Sequence, residues 1–152
     1  MRVMVMVKAN KNSEAGKMPS QQLIADMDKF NDELIKAGVR LQAEGLQPSS
    51  KGKRIRCSGA KRTVVDGPFA ETKELVAGFW LWQVRSMEEA VEWAKRCPNP
   101  HEGDSEIEIR QVFELEDFDA EVIGNSPGLE ARRLEAKKNE EHLRARTSNK
   151  KP

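Results

Sequence analysis

The stretch TVVDGPFAETKELVAGFWLW, residues 63–82, decides how this chain is read. Its second half runs on to Val84, is apolar on both faces of a period-two pattern except at Gln83, and carries Phe79, Trp80 and Trp82. A strand apolar on both sides belongs in the middle of a sheet whose two faces are both covered. The first half, Thr63 to Val65, is a shorter apolar run, and Asp66-Gly67-Pro68-Phe69 separates the two. Turn chemistry accounts for that segment: proline presets φ, glycine relieves the crowding the ring imposes on the preceding residue, and an aspartate just before accepts backbone N–H groups.

Outward from this stretch the periodicities alternate between two and 3.6. Arg2 to Lys8 reads as a strand with Val3, Val5 and Val7 on one face and Met4 and Met6 on the other. After the loop ANKNSEAGKMP, Pro19 and Ser20 open a helix with Leu23, Met27, Phe30, Leu34 and Ala37 on its inner face, and Gly38 ends it. Val39 to Leu46 predicts a second strand. Lys53 to Ser58 and Arg62 to Val65 predict a small hairpin about GAK, with Ile55 and Cys57 on one face of the first arm. Ser86, with Glu89 three residues on, predicts a capped helix whose inner face is Met87, Ala90, Val91, Ala94 and Cys97, halted by Pro98 and Pro100. Glu106 to Phe113 predicts a last strand with Ile107, Ile109 and Phe113 on one side and Glu106, Glu108 and Arg110 on the other.

The order predicts an α+β chain: a ferredoxin-like split βαβ (β-α-β-β-α-β) with an extra small hairpin. Two helices cover one face of such a sheet, yet the first strand and the Leu75–Val84 strand are apolar on both faces. The other face therefore calls for a second copy of the chain, sheet against sheet, in a homodimer.

Composition sets outer bounds. A length of 152 residues suits one domain. The 26 basic and 25 acidic residues leave a formal charge of +1, which argues against nucleic acid as a partner drawn by bulk charge. The apolar run at the start is too short for a signal peptide or a membrane span, so a cytoplasmic protein without a membrane partner is expected. Cys57 and Cys97 form no paired motif, and neither a metal site nor a cofactor is expected. From Pro127 the chain has eight Lys and Arg against four Glu and lacks aromatic and β-branched aliphatic residues. The expected division is a folded domain over 1–118 and a charged extension over 119–152, a marginal helix or disordered, with i, i+4 pairs such as Glu140–Arg144.

VDGPFAETKE followed by LVAGFWLWQV, the helix ending in EWAKRCP, and FNDELIKAGVRLQAEGLQP upstream together resemble the DGPF group of the YCII-related family over about residues 1–115. The resemblance implies a dimeric α/β barrel of ferredoxin-like subunits and a family without an established reaction. Some members are labelled transcription initiation proteins and some are encoded beside extracytoplasmic-function sigma factors, which implies a sigma factor or another transcription protein as a partner. Related YCII proteins carry a histidine on the first helix and an aspartate just after the second, an acid–base dyad. Here the first helix has Asp26, Asp28 and Asp32 but no histidine, and Cys97-Pro98 stands where Asp-Pro is expected, so the dyad does not transfer.

The candidate site is a pocket beside the Asp66–Glu74 loop that takes a small-molecule ligand. Asp66, Glu71 and His101 are its candidate catalytic acid–base groups, and Lys73, Trp80 and Trp82 its candidate ligand-binding groups. A carboxylate serves as acid or base when burial or a like charge raises its pKa, whereas a neighbouring lysine favours the ionised form. Lys53, Arg54, Arg56, Lys61 and Arg62 make the small hairpin basic, which protects an exposed edge from aggregation or binds phosphate. Three functions remain open: a small-ligand-binding homodimer of undefined activity, an acid–base enzyme of YCII type, and a transcription accessory factor.

Overall fold

The structure, a computed structural model, describes residues 1–114, 117–119 and isolated positions between 128 and 141; of Lys73 it describes the backbone alone. Its strands are β1 (Arg2–Lys8), β2 (Arg40–Gly45), β3 (Lys53–Ser58), β4 (Lys61–Asp66), β5 (Val76–Gln83) and β6 (Ile107–Gln111). Its helices are α1 (Lys11–Glu14), α2 (Gln21–Lys36) and α3 (Met87–Lys95). Four strands form an antiparallel sheet in the order β2-β5-β1-β6, and β3 and β4 form a separate two-stranded sheet. This α+β arrangement is compatible with a ferredoxin-like fold.

Register explains the division of the sheet into two faces. Val3 lies opposite Trp82, Val5 opposite Trp80 and Val7 opposite Gly78, so these side chains share one face. Phe30 and Leu34 of α2 and Ala90 of α3 pack there, and the Phe30 ring meets Trp80 and Trp82 edge-on with centroids 6.3 Å from each. Trp82 is fully buried, and its indole N–H finds no acceptor among the described residues. The opposite face carries Met4 against Leu81 and Met6 against Phe79, all half-buried, flanked by Glu44 on β2 and Glu108 and Arg110 on β6.

Both long helices start where expected. Ser20 Oγ accepts from Leu23 N at 3.1 Å, and Ser86 Oγ accepts from Glu89 N at 3.2 Å. Glu89 does not complete a reciprocal box: its carboxylate accepts from Arg85 N at 2.7 Å and from the Arg85 guanidinium. These bonds hold the Glu89 carboxyl below the usual carboxylate range.

Several expectations are corrected. Val91 is exposed, and Trp93 takes its place against the core, because position 93 falls on the inner face with Ala90 and Ala94. Phe113 lies beyond the end of β6 and is 66% exposed, its ring 5.4 Å from that of Phe118. The loop after β1 contains α1, capped reciprocally by Asn10 and Ser13. In the C-terminal extension, positions such as Ala131, Leu134 and Lys138 are helical, while the Glu140–Arg144 pair lies outside the described residues.

Candidate functional site

A cavity of about 600 Å3 opens at one end of the sheet, on the side that carries α2. Five segments far apart in sequence wall it: the end of β1 and the connection after it, from Val7 to Ser20, α2 from Leu23 to Asn31, residues 43–48, the start of β5, and Pro100 to Glu102. Its size falls in the range of small-molecule sites, roughly 300–1,000 Å3, and its walls mix Leu23, Met27 and Trp80 with a few polar groups, as such sites do. Gly78 forms part of the wall where β5 approaches β2; a Cβ there would lie 2.9 Å from the Glu44 carbonyl oxygen, so the backbones meet closely only because position 78 is glycine.

Two of its polar groups are fixed by the scaffold. His101 Nε2 lies 2.8 Å from the Lys8 carbonyl oxygen. A carbonyl only accepts, so Nε2 carries a proton and the neutral ring has its lone pair on Nδ1, which bonds to none of the described residues. The loop that carries His101 is held in turn, since Asn99 Oδ1 accepts from His101 N at 3.2 Å and Asn99 Nδ2 donates to Gly103 O at 2.8 Å. Trp80 Nε1 donates to Asn31 Oδ1 at 2.9 Å, tying the aromatic wall to α2. An exposed Lys17–Glu102 pair at 3.0 Å links the β1–α2 connection to the loop of His101.

The expected site residues are thus distributed unevenly. His101 and Trp80 line the cavity; Asp66 and Glu71 do not. Asp66 is exposed and paired with Lys53 across the β3–β4 ladder, and Glu71 is exposed. Trp82 lies inside the core with no accessible surface, so it touches no ligand in this arrangement. The side chain of Lys73 lies outside the described residues. Among the described residues no group of three or more His, Cys, Asp or Glu is placed to hold a metal ion. Burial pushes the Cys97 thiol up to about 12, so it stays a protonated, weakly nucleophilic group.

The Asp66–Phe69 turn instead braces the cavity from outside. Gly67 N donates to Gly52 O at 3.1 Å and Phe69 N donates to Ser49 Oγ at 3.1 Å; the Ser49 hydroxyl in turn donates to the Glu14 carboxylate. The Gly67–Pro68 peptide bond is cis. A Cβ on Gly67 would overlap the Ser49 carbonyl oxygen, so no other residue fits without displacing the 48–52 segment. That segment continues directly from Gln47 and Pro48 of the wall, and Glu14 follows Ser13 of the opposite wall. The turn therefore acts on the cavity through Ser49 and Glu14.

The YCII-related domain family model matches residues 1–116. The chain belongs to the YCII-related family. An uncharacterized protein of Rhizobium meliloti (strain 1021) is 30% identical over 96 residues, which covers 63% of this chain and 77% of the relative. Within this YCII-related chain the groups missed by sequence reasoning are Asn31 and Asn10. Asn31 sits among the polar positions of an amphipathic helix and gives no signal of its own. Asn10 was read as part of the ANKNSEAGKMP loop, and its spacing of three from Ser13 is the signal that the cap at the start of α1 leaves in the sequence.

Proposed function

We propose that this YCII-related protein binds a small, partly apolar organic molecule in the cavity, with His101 as the polar anchor. The observation that carries this is the commitment of His101 Nε2 to the Lys8 carbonyl, which presets the ring and reserves Nδ1 to accept a proton or hydrogen bond from a guest. The test is an NMR titration of the full chain with a library of small organic acids, amides and alcohols. A binder should shift the Trp80 indole N–H resonance, leave that of Trp93 unmoved, and lose affinity in His101→Ala. Binders that perturb only the Asp66–Glu74 loop would overturn the assignment.

One observation favours a second reading, acid–base chemistry, with its centre moved from the carboxylates to His101. Asp66 is exposed and paired with Lys53, Glu71 is exposed, and neither lines the cavity. His101 is the group in the cavity wall with a free basic nitrogen. On this reading the protein speeds deuterium exchange at an acidic C–H of a bound molecule in D2O, and His101→Ala abolishes the acceleration; equal rates with wild type and variant would contradict it.

We also propose a homodimer through the open sheet face. Met4, Met6, Phe79 and Leu81 form an apolar centre with charged residues at its margins, the composition of a self-complementary interface. Light scattering should find a dimer that Met6→Glu dissociates. A monomer at micromolar concentration would remove this reading.

A further inference from the structure

Gly45 of β2 lies opposite Gly78 of β5, which lies opposite Val7 of β1, so these positions form one row across the sheet. The next row is Ala43, Trp80 and Val5. Side chains alternate along a strand, so both rows point to the face on which α2 packs, and all of these residues but Val5 line the cavity. At 45 and 78 the row presents bare backbone where side chains would stand, beneath Leu23 and Met27 of α2. The result is a slot between helix and sheet with a flat floor of peptide groups.

The two glycines have different causes. Glycine inside a strand weakens it and marks a bend, a bulge, or a close approach by backbone or ligand. At Gly78 the approach is that of the Glu44 carbonyl oxygen, 2.9 Å from the place of a Cβ. At Gly45 no described atom comes within 4 Å of that place, and φ lies outside the left-handed region. Nothing in the described fold requires glycine at 45, whereas a guest lying on the floor does.

Polar groups stand toward the two ends of the slot. His101 offers Nδ1 as an acceptor, and Lys8, the partner of its Nε2, follows Val7 directly. Asn31 stands at the Trp80 end. The Trp80 indole only donates, so the Asn31 amide turns its oxygen to it; Nδ2, which bonds to none of the described residues, is left as a donor. Lys8 and Val5, the residue opposite Trp80, are separated by roughly 10 Å along β1. Among the described residues of the wall Lys17 is the one cation, and Glu102 engages it at 3.0 Å. With the His101 ring neutral, an anionic guest finds no unpaired cation there.

We propose that the cavity selects a flat, uncharged molecule that lies on the Gly45–Gly78 floor, donates a hydrogen bond to His101 Nδ1 and accepts one from Asn31 Nδ2. An aromatic amide with a hydroxyl at its far end is such a molecule. Gly45 is the residue that admits it. The proposal rests on the ligand-binding reading and adds the chemical class of the guest.

Calorimetric titration of the full chain with para-hydroxybenzamide tests it, against benzamide, which lacks the hydroxyl, and para-hydroxybenzoate, which carries a charge. Wild type should bind para-hydroxybenzamide about tenfold tighter than either, the worth of one well-placed hydrogen bond. Gly45→Val fills the floor and should abolish measurable binding, with the urea midpoint unchanged or raised because the new side chain enters open space in a strand. Asn31→Asp keeps the acceptor for Trp80 and loses the donor; it should weaken the amide about tenfold while the Trp80 indole N–H resonance stays in place. Equal affinities for the amide and the benzoate, or undiminished binding in Gly45→Val, overturn the proposal; if His101→Ala still weakens the probe, the cavity reading stands without it. A lowered urea midpoint in Gly45→Val contradicts the open floor and overturns it as well. No heat from para-hydroxybenzamide at millimolar concentration also overturns it, and the library titration then judges the cavity reading alone.

Discussion

His101 donates from Nε2 to the carbonyl oxygen of Lys8 across 2.8 Å, joining the loop after α3 to the last residue of β1. Because a carbonyl cannot donate, the bond selects one tautomer. Long-range proton–nitrogen NMR correlations of the neutral ring should show protonated Nε2 and bare Nδ1 for His101. The opposite tautomer would break the account of the anchor.

Trp80 depends on Asn31 in a similar way. Asn31→Leu removes the acceptor of a nearly buried indole N–H and should cost roughly 1–3 kcal/mol. Urea unfolding measures the loss, and tryptophan emission should shift with it. An unchanged midpoint would mean that solvent replaces the bond without penalty.

Gly67 is the position at which the Asp66–Phe69 turn bears on the cavity wall. Gly67→Ala must push back the Ser49 carbonyl and should destabilise the fold by about 1–3 kcal/mol or more, the usual range for overpacking. Amide shifts should change at Gln47 and Ser13 as well as at the turn. Asp66→Ala, which removes only an exposed pair with Lys53, should cost well under about 1 kcal/mol. Equal costs for the two variants would contradict the bracing role.

Arg2 and Glu114 pair through two bonds, Nε to Oε1 at 3.0 Å and Nη2 to Oε2 at 3.2 Å, and close the start of β1 onto the chain after β6. Burial alone would raise the Glu114 carboxyl, but the Arg2 guanidinium outweighs it and holds the group below the usual carboxylate range. A carboxyl depressed on folding contributes stability that is present above its unfolded pKa and is lost as pH falls through its folded pKa. Glu114→Gln should therefore be less stable than wild type at neutral pH, and the gap should close in acid. Denaturant titrations at several pH values measure the gap; a constant difference would deny the linkage.

The fold was legible wherever one period ran unbroken. Alternation in Val3–Val7 and in Trp80–Trp82, and the three-and-four spacing from Met27 to Leu34, located β1, β5 and α2 because those side chains meet one core. Short elements were harder to read. Four residues of α1 give no periodicity, and on the nine-residue α3 a bulky Trp93 displaced the β-branched Val91 from the core side. The cavity was scarcely visible, since five distant segments build it and no motif spans them. His101 and Trp80 could be named from residue type, but Asp66 and Glu71 drew attention by sitting in the most distinctive stretch. What makes that stretch distinctive is a close approach of Gly67 to Ser49, which only the folded chain displays.

The most direct test of the central claim is a crystallographic fragment soak of the full chain. Density for a bound fragment in the cavity, within hydrogen-bond distance of His101 Nδ1 and against the Trp80 ring, is the predicted result. Fragments that gather instead around Asp66 and Glu71 and leave the cavity empty would contradict the account.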